Sequence, residues 1–365
     1  MDATVSQVVS NTPTTRDRHI DGLRAFAIVV VVCWHVVFSV THWSGAGRLT
    51  MPHAFERTPG FWVLTWFLQV MPLFFVVGGY ANRAAFSSNP HHFLRRRVTR
   101  LLKPTAVFLG VWVAIDGLRA LLLPASLSVF SWGRVLFVPL WFVGVYLVVS
   151  ALVPVTARLH DRFGGWVLVG LGAAIAANDI AHFRFGIAWQ AVPASLLVFL
   201  FAHQLGYFWR DGALTENRRR AAVLAGASAA LLFALTSVHP FIRSMVSLPG
   251  FSHMLPTTAC IAVLAVFQLA VAELLRPVLA PMWRLRRVWT GVVLVNGRAM
   301  TILVWHMTAW LLAFGVFALL GGSLLAQPTA AWWWERPLWI ALPAGFLALL
   351  VRMFGNVELR LRKNP

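Results

Sequence analysis

Apolar runs of about twenty residues alternate with short, arginine-rich connections from residue 20 to residue 354. A helix crossing a hydrocarbon core of about 30 Å needs about 20 residues, at a rise of about 1.5 Å each. On that measure the runs predict ten transmembrane helices, over 20–40, 61–82, 104–123, 138–157, 164–180, 189–209, 221–238, 256–275, 299–320 and 337–354. The fifth is short and rich in Gly and Ala. Residues 288–295 start a further apolar pattern that Asn296-Gly297-Arg298 interrupts, and they read as a half-helix or interfacial segment feeding the ninth span. The first run follows basic residues as a secretory signal would. It nevertheless carries Asp21, Arg24 and His35, and no small-residue cleavage site follows, so it reads as a permanent helix.

Composition agrees with a hydrocarbon solvent. The 365 residues are 59% hydrophobic and 12% charged, with a mean hydropathy of +0.73, where a soluble domain carries about a quarter charged. The net charge of +19 does not form one patch, as nucleic-acid binding requires; it falls in clusters between spans, and no nucleic-acid partner is expected. With the N-terminus inside, the outer loops receive only Arg48, Arg57, Arg119, Arg134, Arg184, Arg243 and Arg336, and Arg24 and Arg298 sit at span edges. The other 22 of the 31 basic residues fall on the cytoplasmic side, the bias that sets orientation. The reading is therefore an all-α bundle of about ten transmembrane helices, multi-pass in the cytoplasmic (inner) membrane, with both termini cytoplasmic. Residues 1–15 read as a disordered tail, 16–356 as the transmembrane domain and 357–365 as a basic cytoplasmic tail. Cys33 and Cys260 lie inside apolar runs, so neither a disulfide framework nor a cysteine metal site is expected, and no metal is invoked.

Ionisable groups inside spans are costly and mark candidate chemistry. His35 lies about 22 Å along the first span from residue 20, flanked only by Val, Cys33, Trp34 and Phe38. It is either a neutral histidine bonded to a neighbouring helix or a base. Asp116 lies at a matching depth in the third span, about 18 Å from its cytoplasmic end. It pairs either with His35 or with Arg119 at the outer interface. Asp21 and Arg24 are spaced for a local ion pair. Arg96, Arg97, Arg100 and Lys103 would share one helical face, suited to a polyphosphate or to anionic lipid. His306, His203-Gln204 and Gln69 are further polar intrusions, each most simply a helix–helix hydrogen bond. Trp332-Trp333-Trp334 resembles an interfacial belt.

Together these motifs resemble the acyltransferase-3 family of integral membrane O-acyltransferases. The opening Arg18-His19-Ile20-Asp21-Gly22-Leu23-Arg24, with His35 eleven residues after Arg24, is similar to that family's first helix. Arg97-Val98-Thr99-Arg100 matches its RxxR segment, Met71 to Tyr80 its second span, and Pro139-Leu140-Trp141-Phe142 its fourth. The resemblance covers most of the chain. It departs before His306, where Ala299 and Leu303 stand in place of the family's usual Ser and Tyr. What it implies is transfer of an acyl group, acetyl above all, from cytoplasmic acyl-CoA to a hydroxyl of a glycan, lipid or small-molecule acceptor. His35 would be the base and Asp116 its orienting carboxylate. Arg24, Arg97, Arg100 and Lys103 would hold the donor's phosphates, His306 and Trp141 would contact substrate, and membrane lipid would surround the bundle. The alternative is a flippase or transporter without bond chemistry.

Overall fold

The computed structural model describes residues 16–43, 48–51, 60–125, 128–187, 191–213, 217–246, 251–322, 325 and 329–358. The expected tail over 1–15, and all of the C-terminal tail beyond Glu358, lie outside these. The described residues form α1 (Arg18–Val37), a two-stranded antiparallel hairpin of β1 (His42–Trp43) and β2 (Leu49–Thr50), α2 (Trp62–Leu68), α3 (Met71–Ser88), α4 (Pro90–Leu122) and the single turn α5 (Val129–Trp132). There follow α6 (Pro139–Ala151), α7 (Val153–Phe163), α8 (Trp166–Phe185), α9 (Ala191–Arg210), α10 (Arg218–Leu235) and α11 (Ala259–Arg284). The last are α12 (Arg286–Gly297), α13 (Ala299–Leu319), α14 (Ala330–Trp334) and α15 (Arg336–Phe354).

Nine helical segments among the described residues are long and apolar enough to cross a membrane. The protein is thus an all-α, multi-pass membrane protein. The remaining expected span is α10, whose first three residues are Arg218, Arg219 and Arg220. Those charges shorten its apolar length to the fifteen residues Ala221–Leu235, about 22 Å. The fifth span, short in the sequence reading, is the 20-residue α8. The third is longer than expected. Pro104 looks like a helix start, yet α4 begins at Pro90, where the Asn89 side chain accepts the His92 amide (3.3 Å), and it runs through Pro104 to Leu122. The arginine cluster is therefore helical, as its expected helical face requires. Residues 286–297 form the short helix α12, as the interrupted apolar pattern suggests.

The chain divides into two compact units. In the first (Met1–Ala27, Pro59–Arg95 and Val145–Val293) α3 packs against α9 backbone to backbone. A Cβ on Gly79 would overlap the carbonyl oxygen of His203, and one on Gly206 that of Val76. Small residues permit such close approach in a membrane, where van der Waals contact drives association. Beside them Phe75 stacks on Phe199 at 4.3 Å. The span formed by α2 and α3 breaks at Gln69-Val70, and Gln268 of α11 satisfies the interrupted backbone. Its amide donates to the carbonyls of Trp66 (3.0 Å) and Gln69 (2.9 Å), and its own carbonyl accepts the Leu73 amide (3.2 Å). His203 and Gln204 make inter-helical bonds, to Asn82 (3.0 Å) and His160 (2.8 Å). Asp17 caps α1 by accepting the His19 amide (2.9 Å) and also pairs with Arg276 at 3.0 Å.

The second unit comprises Ile28–Thr58, Arg96–Gly144 and Leu294–Pro365. Here α13 packs against α15, with Trp305 stacked on Phe354 at 4.3 Å and nearly parallel (5°). Phe108 of α4 meets Trp305 edge-on at 5.2 Å, and Trp112 donates its indole N–H to Thr308 (3.2 Å). The hairpin's Leu49 joins Val36 and Trp310 in a buried apolar cluster. Of the three consecutive tryptophans, Trp332 is buried and Trp334 is exposed.

Candidate active site

The groups below belong to the second unit, except Arg24 with its neighbours Arg16 and Asp21, and Arg95. The C-terminal turn of α1 carries His35 and the middle of α13 carries His306, and their ring centroids lie 5.1 Å apart, tilted by 50°. Each ring is oriented by its own helix. The Nδ1–H of His35 donates to the carbonyl of Val31, one turn back, at 2.8 Å. The Nδ1–H of His306 donates to the carbonyl of Leu303 at 2.7 Å. A neutral imidazole with its proton on Nδ1 keeps its lone pair on Nε2. Both Nε2 atoms are thus bare acceptors. That of His306 is buried without a hydrogen-bond partner, and that of His35 bonds to no other described residue. His35 is half-buried and His306 is 1% exposed. Toward the hairpin the apolar cluster of Val36, Leu49 and Trp310 adjoins the pair.

Asp116 does not orient His35, which corrects the expected dyad. Its carboxylate pairs with Arg119 (3.2 Å) and accepts the Ser128 hydroxyl (3.1 Å) and the Val129 amide (3.0 Å), so it fastens α4 to the turn α5. The i,i+3 spacing puts Arg119 next to Asp116, whereas His35 already has the Val31 carbonyl to fix its tautomer.

The arginine face also differs from the expected one. At about 100° per residue, Arg97 falls in line with the buried positions Leu101, Pro104, Thr105 and Phe108, with Arg100 on the flank. These two arginines are half-buried, whereas Arg95, Arg96 and Lys103 are exposed. Lys103 therefore parts from Arg97 and Arg100. Arg100 donates to the carbonyl of Asn296 (3.2 Å) and stands 3.9 Å from the carboxylate of Glu358. That carboxylate is fully buried and caps α13, accepting the amides of Met300 (3.4 Å) and Thr301 (3.2 Å) and the Thr301 hydroxyl (3.2 Å). Burial pushes the Glu358 carboxyl pKa up, against the pull of Arg100 and of the three hydrogen bonds. Arg100 and Glu358 thus sit at the start of the helix that carries His306, about 8–9 Å below it along the axis.

Arg24 lies half-buried in α1 and makes no ion pair among the described residues; Asp21 pairs with Arg16 and not with Arg24. Trp141 stands in the first turn of α6, 38% exposed, edge-on to Phe142 at 6.3 Å. Glu358 escapes the sequence reading because it lies beyond the last span in a basic tail, where an acid reads as a solvated charge. Its one signal is that it is the only acid among Arg352, Arg360, Arg362 and Lys363. Among the described residues no group of three His, Cys, Asp or Glu side chains could hold a metal ion.

A family model described as an acyltransferase domain matches residues 17–354, nearly the whole chain. No curated protein and no solved structure matches.

Proposed function

Since the chain belongs to the acyltransferase-3 family and is a membrane acyltransferase, we propose that it moves an acyl group, acetyl above all, from cytoplasmic acyl-CoA to a hydroxyl of a glycan, lipid or small-molecule acceptor. It works in the cytoplasmic membrane with its N-terminus inside. The observation that carries this reading is the imidazole pair, two rings 5.1 Å apart with protons held on Nδ1 and lone pairs left on Nε2.

A thioester is already activated, so the enzyme must chiefly deprotonate the acceptor. His35 is the base, because its ring is the more accessible of the two. Its Nε2 takes the hydroxyl proton while the acceptor oxygen attacks the thioester carbonyl carbon. The C–S bond breaks, the thiolate leaves with the proton returned from the His35 imidazolium, and an ester and free CoA thiol result. His306 Nε2 can only accept, so it orients a substrate N–H or O–H beside His35. Arg97 and Arg100 bind the donor's phosphates on the partly covered face of α4, with charge-assisted hydrogen bonds. Arg24 stands about 16 Å from His35 along α1, toward the cytoplasmic end of that helix.

Membranes containing the protein, given radiolabelled acetyl-CoA, test this. Label should pass to an extractable acceptor with the wild type, and His35→Ala should abolish transfer while acyl-CoA still binds. Undiminished transfer by a folded His35→Ala protein would end the mechanism.

A further inference from the structure

The first unit holds a cleft of about 660 Å³ bounded by α8, α9, α10 and α11, within the size range of small-molecule sites. Its floor is the buried pair Leu205 and Leu269, and its walls include Phe201 and the exposed Val223. At one end stand Arg219 and Arg220, held in the first turn of α10, where the Asn217 side chain accepts the Arg220 amide at 3.1 Å. Among the described residues neither arginine makes an ion pair and no acidic side chain lines the cleft. Val223 lies one turn deeper than Arg219, so the charged end and the apolar body are stacked along the helix axis. A cation at the membrane interface with an apolar channel leading inward complements a phosphate that carries a hydrocarbon chain. A free anion would leave the cleft empty, and a zwitterionic lipid would bring its own cation against two arginines.

We propose that this cleft binds one anionic phospholipid, its phosphate between Arg219 and Arg220 and an acyl chain along Val223, Phe201 and Leu269. The site is independent of the imidazole pair. It also accounts for α10, whose three leading arginines make it a poor bulk-lipid span and a good lipid-binding one.

Native mass spectrometry of the full-length protein, delipidated in detergent and offered equal palmitoyl-oleoyl phosphatidylglycerol and phosphatidylcholine, tests the site. The wild type should retain one phosphatidylglycerol in preference. Arg219→Ala and Arg220→Ala should each lower that preference about fivefold, the scale of one basic residue at an anionic surface. Val223→Trp fills the cleft and keeps both arginines, and it should lose the adduct while melting as the wild type does. Glycerol 3-phosphate, which has the headgroup chemistry without the chain, should not displace the lipid. Equal retention of both lipids would mean only bulk lipid is held. Retention by Val223→Trp, or displacement by glycerol 3-phosphate, would reduce the site to an anion patch. Each of these results overturns the proposal.

Discussion

His306→Leu should separate folding stability from activity, because its two consequences differ in sign. The His306 Nε2 is buried without a partner, and an unsatisfied buried polar atom costs about 1–3 kcal/mol. The Leu303 carbonyl that takes the Nδ1 proton also lies in register for the helical amide of Met307, so removing the ring orphans nothing new. Leucine is close to histidine in volume, and repacking of that order costs less than about 1.5 kcal/mol. Stability should therefore hold level or rise by up to about 2 kcal/mol. Transfer should fall by about 10²-fold, the cost of a misplaced substrate, or about 3 kcal/mol of barrier. Size-exclusion profiles of heated, detergent-solubilised protein give the first quantity. Acetyl transfer per folded molecule gives the second. A variant that is stabilised and fully active would show the imidazole to be idle. A loss above about 3 kcal/mol would show that Nε2 has a partner and that the reasoning about the orphan is wrong.

Arg97→Ala should weaken acyl-CoA binding by about 1.5–3 kcal/mol, the scale of a hydrogen bond to a charged group, and Arg95→Ala much less; equal effects in a binding titration would reduce the cluster to a lipid anchor. Arg100→Ala should also destabilise the fold by about 1–3 kcal/mol, since it leaves the buried Glu358 without its cation. Asp116→Asn should leave acetyl transfer per folded molecule within about threefold, because the Val31 carbonyl sets the His35 tautomer; a thousandfold loss of turnover would return the carboxylate to the mechanism. His253, outside the spans, is held by Thr258 and Ile242 (both 2.8 Å), and burial lowers its pKa from 6.5 to about 4. The unfolded chain therefore takes up a proton that the folded one refuses, and stability should fall by up to about 3 kcal/mol as pH drops from about 6.5 to 4. His253→Gln should flatten that part of a pH-dependent melting series. Reporter fusions after Arg220 and Lys363 should read cytoplasmic and one near Pro328 external; a cytoplasmic signal at Pro328 would mean the span count is wrong.

The spans were legible because a bilayer allows few ways to satisfy a backbone, and apolar length alone reports most of them. Boundaries were less legible where a residue has two uses. Pro104 can start a helix or sit inside one, and only the Asn89 cap and the amphipathic turn at 90–103 reveal the second. His35 and the pair Arg97 and Arg100 could be singled out by chemistry in the wrong solvent and by spacing. The partner of His35 could not. Depth matching offers Asp116, but the local carbonyl of Val31 competes at no cost in sequence pattern, and Arg119 claims Asp116 from three residues away. The His35–His306 contact depends on how α1 and α13 face each other, which periodicity along one helix does not encode.

The capping of α13 by Glu358 sets an order of events in biosynthesis. Helix α13 ends at Leu319 and emerges long before Glu358 does. Until then the Met300 and Thr301 amides and the Arg100 guanidinium lack the carboxylate that joins them. The segment bearing His306 reaches its final setting only after α15 has inserted and residue 358 has folded back against it. Between translation of His306 and of Glu358 the nascent chain thus carries both imidazoles with this end of the site unfinished, and the Glu358 carboxylate acts as the latch.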